Sequence, residues 1–130
     1  MTTNDVFSTA VKAMSTFVSV PLSGQVNRLD AWSNEVDLYL NRDAQGAQAL
    51  LAWLWWMPGA TLYHRHSATS DSVFVHVRGS LDGAAWNVWT AFQGDDMAVL
   101  CDHAADEGPL SVHRLRKLQM RQTAVLAGAR

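Results

Sequence analysis

Cysteine is almost absent from this sequence of 130 residues, since Cys101 is the single one. One cysteine excludes a disulfide-stapled scaffold and a four-cysteine zinc site. Charge is also thin, at 17% charged residues with a net charge of −2, and 48% of the residues are hydrophobic, which together exclude a disordered chain. The apolar segment 49–57 is about half as long as a bilayer span. No secretory signal opens the chain, so we expect one cytoplasmic domain over residues 1–130, without a membrane segment.

The motifs of the common catalytic classes are missing as well. The chain has no Gly-x-x-x-x-Gly-Lys, Gly-x-Ser-x-Gly, His-Glu-x-x-His or Cys-x-x-Cys. Glu35 and Asp37 share one face of a predicted strand about 7 Å apart, a spacing that fits an acid–base pair and equally a solvated sheet face. The sequence therefore indicates no catalytic residue and no required cofactor, and it favours a non-enzymatic role.

Tryptophan is the residue that the sequence has in excess, with six copies. Three of them, Trp53, Trp55 and Trp56, lie on one predicted helix and cannot all share one face. A helix that is apolar all round is buried on more than one side. It needs either a second layer of the same chain or a subunit interface. The candidate interface residues are Trp53, Trp55, Trp56, Phe74 and Trp89, and they favour a homo-oligomer, in the first place a homodimer.

Hydrophobic periodicity gives the order of elements. A helix is predicted from Asn4 or Asp5 to Pro21, a strand over 32–40, and a helix over 44–57 capped by Asp43. Strands over 61–67, 72–81 and 84–92 follow, then a short apolar run at 97–101 and a helix over 110–126. The predicted fold is an α+β two-layer sandwich. It contains a helix-strand-helix unit, a three-stranded antiparallel meander and a C-terminal helix, with four strands in all.

The dipeptide Asp82-Gly83 predicts a two-residue hairpin and thereby a register, because Leu81 must then face Ala84. Gly79 would pair with the bulky Trp86 on one face of the sheet. On the other face the predicted cross-strand pairs are Arg78 with Asn87, His76 with Trp89, and Phe74 with Ala91.

Short stretches between Val36 and Phe92 carry one resemblance: the Val-Asp-Leu-Tyr-Leu strand, the Ala-Leu-Leu-Ala-Trp helix, and the segments Gly-Ser-Leu-Asp-Gly and Trp-Asn-Val-Trp. This block resembles a class of small uncharacterised proteins of actinobacteria and their phages. The resemblance implies an accessory or phage-encoded protein, with a host or phage protein as an alternative partner. It implies no activity.

Three histidines form the candidate metal site. The segment 58–66, Pro-Gly followed by His-x-His, resembles the first cupin motif, with Gly79 as its closing glycine and without its glutamate. This implies a metal-dependent enzyme using His64, His66 and His76. The loop before the next strand decides the geometry: three residues place His64 opposite His76, and the set could then ligate Zn²⁺, Fe²⁺ or Ni²⁺. With four residues, His64 and His66 point toward the core and no cluster forms.

Charge is segregated near the C-terminus, where acidic residues precede a basic predicted helix. That helix could contact phosphate groups, or it could be a solvated face paired with its own acidic segment. A pI near 6.2 indicates that DNA binding is not the main role. The candidate nucleic-acid contacts are Arg114, Arg116, Lys117 and Arg121.

Overall fold

The computed structural model describes residues 26–32, 35–41, 45–67, 71–81, 83–100 and 107–128. The predicted N-terminal helix, Asp43 and Cys101 lie outside these ranges. The described elements, in chain order, are β1 (Val26–Trp32), β2 (Glu35–Leu40), α1 (Gly46–Trp56), β3 (Thr61–His66), β4 (Ser72–Leu81), β5 (Ala84–Gln93), α2 (Gly94–Leu100), β6 (Glu107–Pro109) and α3 (Val112–Gly128).

One mixed sheet holds all six described strands, in the order β1-β2-β5-β4-β3-β6. Strands β2 and β5 pair in parallel, and every other neighbouring pair is antiparallel. The α+β class is confirmed. The prediction of four strands ending in a three-stranded meander is wrong, because β3, β4 and β5 lie inside a mixed sheet that has six described strands.

The two missed strands have simple reasons. Segment 32–40 was predicted as one strand, but Trp32 ends β1 and pairs with Glu35, the first residue of β2. Trp32 falls on the same even-numbered alternation as Val36, Leu38 and Leu40, and this hides the reversal between the two strands. Strand β6 has three residues, Glu-Gly-Pro, and offers no apolar signal. This segment is a strand only because it pairs with β3, more than forty residues earlier in the chain.

The hairpin prediction is confirmed residue by residue. Leu81 pairs with Ala84, Gly79 with Trp86 and His76 with Trp89. Gly83 has a φ of +82°, the left-handed conformation that this turn requires and that glycine adopts without strain. The turn chemistry alone therefore sets which side chains share a face across twenty residues.

The three described helices cover one face of the sheet. Alternate residues of the central strands point to them, among them Trp86, which is 1% exposed and stacks on Trp53 of α1 with ring centroids 6.2 Å apart. Gly79 opposite Trp86 leaves room for the segment that follows α1, since a Cβ there would lie 3.3 Å from the Ala60 Cβ and 3.4 Å from the Met57 Cβ. The largest fully buried side chains are Trp53, Trp86, Leu38, Leu40, Leu50, Leu51, Met57, Leu100, Leu115, Leu118 and Val36.

The N-terminus of helix α1 is described from Gln45 onward, so the predicted cap by Asp43 lies outside the described residues. Gln45 occupies the N-cap position and makes no capping hydrogen bond with its side chain. The buried Gln122 of α3 supplies the acceptor instead, because its Oε1 accepts a hydrogen bond from the Ala47 backbone N–H at 3.2 Å. Its Nε2 donates to Asp96 Oδ2 at 3.0 Å. The Gln122 side chain thus connects the three described helices.

Candidate functional site

The sheet face opposite the helices carries the candidate site, and we call it the aromatic face. None of the described helices packs on it. Its side chains come from alternate positions of five strands, fixed by the registers of the sheet. The residues that matter are Arg28 and Asp30 of β1, Glu35, Asp37 and Tyr39 of β2, Asn87 and Trp89 of β5, Phe74, His76 and Arg78 of β4, and Tyr63 and Arg65 of β3.

A continuous row of rings crosses four strands of this face. Tyr63, His76, Trp89 and Tyr39 are successive cross-strand partners. Tyr39 and Trp89 stack with centroids 4.4 Å apart, and Trp89 and His76 stack at 5.9 Å. Tyr63 meets His76 edge-on at 6.1 Å. Because the rings of Tyr39 and Trp89 face one another, their inner faces are not available to stack on a ligand.

A chain of hydrogen bonds runs beside the row. Asn87 Nδ2 donates to Asp37 Oδ1 at 2.8 Å, and Trp89 Nε1 donates to Asp37 Oδ2 at 2.9 Å. The Asn87 Oδ1 lies 3.0 Å from His76 Nδ1. Asp37 is therefore held by both of its oxygens, and it holds in turn the asparagine that contacts the histidine. All four side chains are at least partly buried.

His76 is 8% exposed, the lowest value among the rings of the row. Burial lowers its pKa below the ordinary 6.5, since the charged imidazolium loses solvation. The hydrogen bond to Asn87 opposes this shift, while the positive charges of Arg78 and Arg65 add to it. His76 is thus a neutral imidazole at pH 7.

A pocket of about 350 Å³ opens at one end of the aromatic face. Its polar lining is Glu35, Asp37, Asn87 and Arg78, and its remaining lining residues are Val36, Gly79, Ala85 and Trp86. Glu35 is exposed and makes no hydrogen bond or ion pair with any residue in the described ranges. The pocket therefore combines one free carboxylate, one carboxylate held in place, an amide and a guanidinium.

Two arginines lie over rings at the β3 side of the face. The Arg78 guanidinium carbon is 4.5 Å from the Tyr63 ring centroid, and that of Arg65 is 5.7 Å from the Phe74 centroid. The Tyr63 hydroxyl donates to Glu107 Oε2 at 2.6 Å, which raises the pKa of Tyr63 above 10. Charges of both signs thus frame the row of rings.

The three candidate metal-binding histidines do not converge. His64 pairs with Val75 and His66 with Val73, so both side chains lie on the helix side of the sheet. His76 lies on the aromatic face. This is the register of the four-residue loop, and it separates the set that the cupin resemblance implies. No cluster of three His, Cys, Asp or Glu side chains in the described ranges is arranged to hold a metal ion.

The five candidate interface residues fall into three environments. Trp53 is 0% exposed and packs in the core, so its assignment to an interface is wrong. Trp56 is half-buried and meets Trp53 edge-on at 6.4 Å, whereas Trp55 is 61% exposed. Phe74 and Trp89 belong to the aromatic face, where they contact each other at 5.7 Å. The tryptophan helix is therefore buried on one side and exposed at Trp55.

The basic residues of α3 are partly engaged within the chain. Arg121 forms ion pairs with Asp95 at 3.4 Å and Asp96 at 3.3 Å. Arg114 donates a hydrogen bond to the Leu100 carbonyl at 3.4 Å. Arg116 lies 5.3 Å from the Trp55 ring, and Lys117 is exposed. Two of the acidic residues that precede this helix, Asp95 and Asp96, are thus paired with Arg121.

The predicted hairpin pairs His76 with Trp89 and Arg78 with Asn87, but it does not include the side chains that β2 adds to the site. Asp37 and Tyr39 reach these residues only through the parallel pairing of β2 with β5, about fifty positions apart in the chain. Tyr63 also went unnoticed as a site residue. An alternating strand with Asp and Tyr on its polar face was the available signal, and it did not reveal which strand would lie next to it.

Comparisons with protein-family models, with curated proteins and with solved structures return no match for this chain. Within the described residues, no helix has the length and hydropathy needed to cross a bilayer. The candidate function therefore rests on the geometry of the aromatic face and of the surface around Trp55.

Proposed function

We propose that this protein binds a small planar molecule rich in N–H donors in the pocket of the aromatic face. The observation that carries the proposal is the pairing of Glu35, which is uncommitted, with Asp37, which two hydrogen bonds hold in place. A pocket of about 350 Å³ lies at the small end of the range for ligand sites. Convergent polar groups beside a histidine of shifted pKa are typical of such sites.

The charge of the face favours a small molecule over a nucleic acid. The charged side chains described on its five main strands are three arginines and three acids, so a polyanion finds no cationic surface there. Arg28 is moreover paired with Asp30 at 3.1 Å. Stacking on bases also needs free ring faces, and Trp89 is stacked on both Tyr39 and His76.

Three probes of the same shape test the proposal: benzamidine, benzamide and benzoate, titrated against labelled protein with backbone and side-chain NMR shifts as the readout. We expect benzamidine to bind most tightly and benzoate least, because only N–H donors satisfy the two carboxylates. Shifts should concentrate at Asn87 and at the indole N–H of Trp89.

Two matched variants complete this test. Glu35→Gln should weaken benzamidine binding about tenfold, the effect of one charged hydrogen bond. Glu107→Gln, an acid bonded to Tyr63 and outside the pocket, should leave it unchanged. Equal affinity for all three probes, or equal loss in both variants, would refute the proposal.

A second candidate function is protein–protein contact as a homodimer, carried by the exposure of Trp55 on the helix layer. Val112, Arg116 and Met120 follow one another at helical spacing along α3, and Arg116 contacts the Trp55 ring. Trp55 is 61%, Met120 71% and Val112 37% exposed. These four residues, the Trp55 patch, form an apolar surface with one charge, as interface centres do.

Sedimentation equilibrium at micromolar concentration tests the homodimer. The wild-type chain should sediment at twice its 14.3 kDa, and Trp55→Glu should return it to a monomer while Phe74→Glu, on the opposite side of the sheet, does not. A monomer at all concentrations rules the dimer out. Dissociation by Phe74→Glu alone would assign the contact to the aromatic face instead.

A further inference from the structure

The hydrogen bonds of the aromatic face determine which nitrogen of His76 carries the proton. The Asp37 carboxylate can only accept, so the Asn87 group that faces it at 2.8 Å is the donating Nδ2. The Asn87 oxygen then faces His76, and at 3.0 Å it needs a donor. In a neutral imidazole only one nitrogen donates. His76 Nδ1 therefore holds the proton, and Nε2 presents a lone pair.

The surroundings leave that lone pair available. His76 Nε2 makes no hydrogen bond within the described part of the chain, and it is not sealed from solvent. The titratable or charged groups around the imidazole are Asp37 of β2 through Asn87, Tyr63 and Arg65 of β3, and Arg78 of β4 itself. Glu107 is occupied by the Tyr63 hydroxyl. Among the described residues no carboxylate is hydrogen-bonded to Nε2, so none of them competes for an incoming proton.

Arg78 adds the second element of a reaction site. It follows His76 at the next position on the same strand face, about 7 Å along the strand, and lines the pocket. A positive charge beside a base stabilises the anion that forms when a ligand loses its proton. His76 itself lies next to the pocket rather than in its lining, since its hydrogen-bond partner Asn87 and its strand neighbour Arg78 both line it.

We propose that His76 Nε2 is a general base that removes a proton from a planar ligand bound on this face, with Asn87 and Asp37 as positioning residues. This inference rests on the proposed binding function. In the step, Nε2 forms a bond to the ligand proton, and the electron pair of the broken bond stays on the ligand, next to Arg78. The imidazolium donates through Nδ1 to Asn87 and returns its extra proton to water.

The probe for this step is 5-nitro-1,2-benzisoxazole, a planar heterocycle of pocket size. Nε2 takes the proton on carbon 3, the electron pair completes the nitrile, and the N–O bond breaks to release a coloured phenolate. The wild-type protein should show saturable turnover above the buffer rate. His76→Gln should lose at least tenfold in kcat, while His113→Gln, which removes an exposed histidine on α3, should change nothing. Equal loss in both variants would overturn the assignment.

Asn87→Leu tests the positioning role through the tautomer of His76, which a loss of packing alone would not change. Without the Asn87 oxygen the proton is free to occupy either nitrogen, so ¹⁵N–¹H correlation should report one tautomer in the wild type and a mixture in the variant. The kcat should fall with little change in KM, and its rise with pH in the wild type should centre below pH 6.5. A wild-type spectrum with the proton on Nε2 refutes the proposal.

The two proposals fail in different ways. If benzamidine shifts no resonance of the aromatic face, binding itself is refuted. If benzamidine binds but the nitrobenzisoxazole is not turned over above the buffer rate, binding stands and the general base is refuted. If turnover saturates and His76→Gln leaves kcat unchanged, the face binds the probe and the base is another group.

Discussion

Trp86 and Trp89 lie three residues apart on β5, on opposite faces of one sheet. Trp86 belongs to the core, whereas Trp89 belongs to the candidate site. Trp86 is 1% exposed, stacks on Trp53 and is enclosed by the helix layer. Trp89 is half-buried, donates to Asp37 and stands in a row of rings. The strand pattern is equally apolar at both positions. What separates a core residue from a site residue here is the presence of a covering layer on one face only.

The histidines repeat this contrast. His64 lies on the helix side, is 9% exposed and has an Nδ1 that is buried without a hydrogen-bond partner. His76 is as buried, at 8%, yet its Nδ1 is hydrogen-bonded to Asn87, which Asp37 holds in turn. A buried polar atom without a partner costs about 1–3 kcal/mol. The two histidines are equally buried, but burial has opposite effects on the stability of the fold. Burying His64 destabilises the core, whereas His76 belongs to a network of hydrogen bonds.

Truncating each tryptophan gives the largest test of this contrast. Trp86→Ala should destabilise the protein by about 3–5 kcal/mol, the cost of a large cavity in a packed core. Trp89→Ala should cost about 1–2 kcal/mol, through lost ring contacts and one hydrogen bond. Urea unfolding of both variants measures the difference. Equal costs would show that the aromatic face is packed as densely as the core.

Removing the polar link within the helix layer comes next in size. Gln122→Leu keeps the volume but removes the hydrogen bonds that Gln122 makes with the Ala47 N–H and with Asp96 Oδ2, and we expect a loss of about 1–3 kcal/mol. Gln119→Leu, a half-buried glutamine of the same helix, is the matched control and should change the unfolding free energy by less than about 0.5 kcal/mol. A neutral Gln122→Leu would mean that water caps α1 equally well.

Replacing each histidine by leucine should change stability in opposite directions. His64→Leu removes an unpartnered buried nitrogen and should stabilise the fold by about 1 kcal/mol. His76→Leu breaks the contact with Asn87 and should destabilise it by about the same amount. Chemical unfolding at pH 7.5, where both side chains are neutral in the unfolded chain, makes the comparison. A loss in both variants would show that His64 has a partner in solution.

The smallest effect is the pH dependence of stability contributed by His76. Its pKa in the folded protein is depressed, so between 6.5 and that lower value the unfolded chain binds more protons than the folded one. The unfolding free energy should therefore fall as the pH drops below 6.5, and it should be flatter in His76→Gln. A wild-type profile with the same slope as the variant would contradict the depressed pKa.

Several parts of the fold follow from short-range signals. The Asp-Gly turn was enough to pair β4 with β5, and the apolar run before Pro58 was enough to place α1, because both depend on contacts between neighbours in the chain. Only the part of the site that lies on the hairpin of β4 and β5 could be predicted. His76, Trp89 and Asn87 were correctly placed on one face by the hairpin, but Asp37 and Tyr39 join them through a parallel pairing that no turn encodes. The loop before β4 similarly left two registers open for His64.

The sequence by itself determined the α+β class, the hairpin register and the alternation that sends Trp86 and Trp89 to opposite faces. Only the tertiary structure decided which of those faces the helices cover, and that β2 lies beside β5. Turns and periodicity depend on residues that are close together in the chain, so a short stretch of sequence is enough to predict them. The choice of neighbouring strand and of covered face depends on the summed packing of distant segments, such as Gln122 with Ala47 and Asp37 with Asn87.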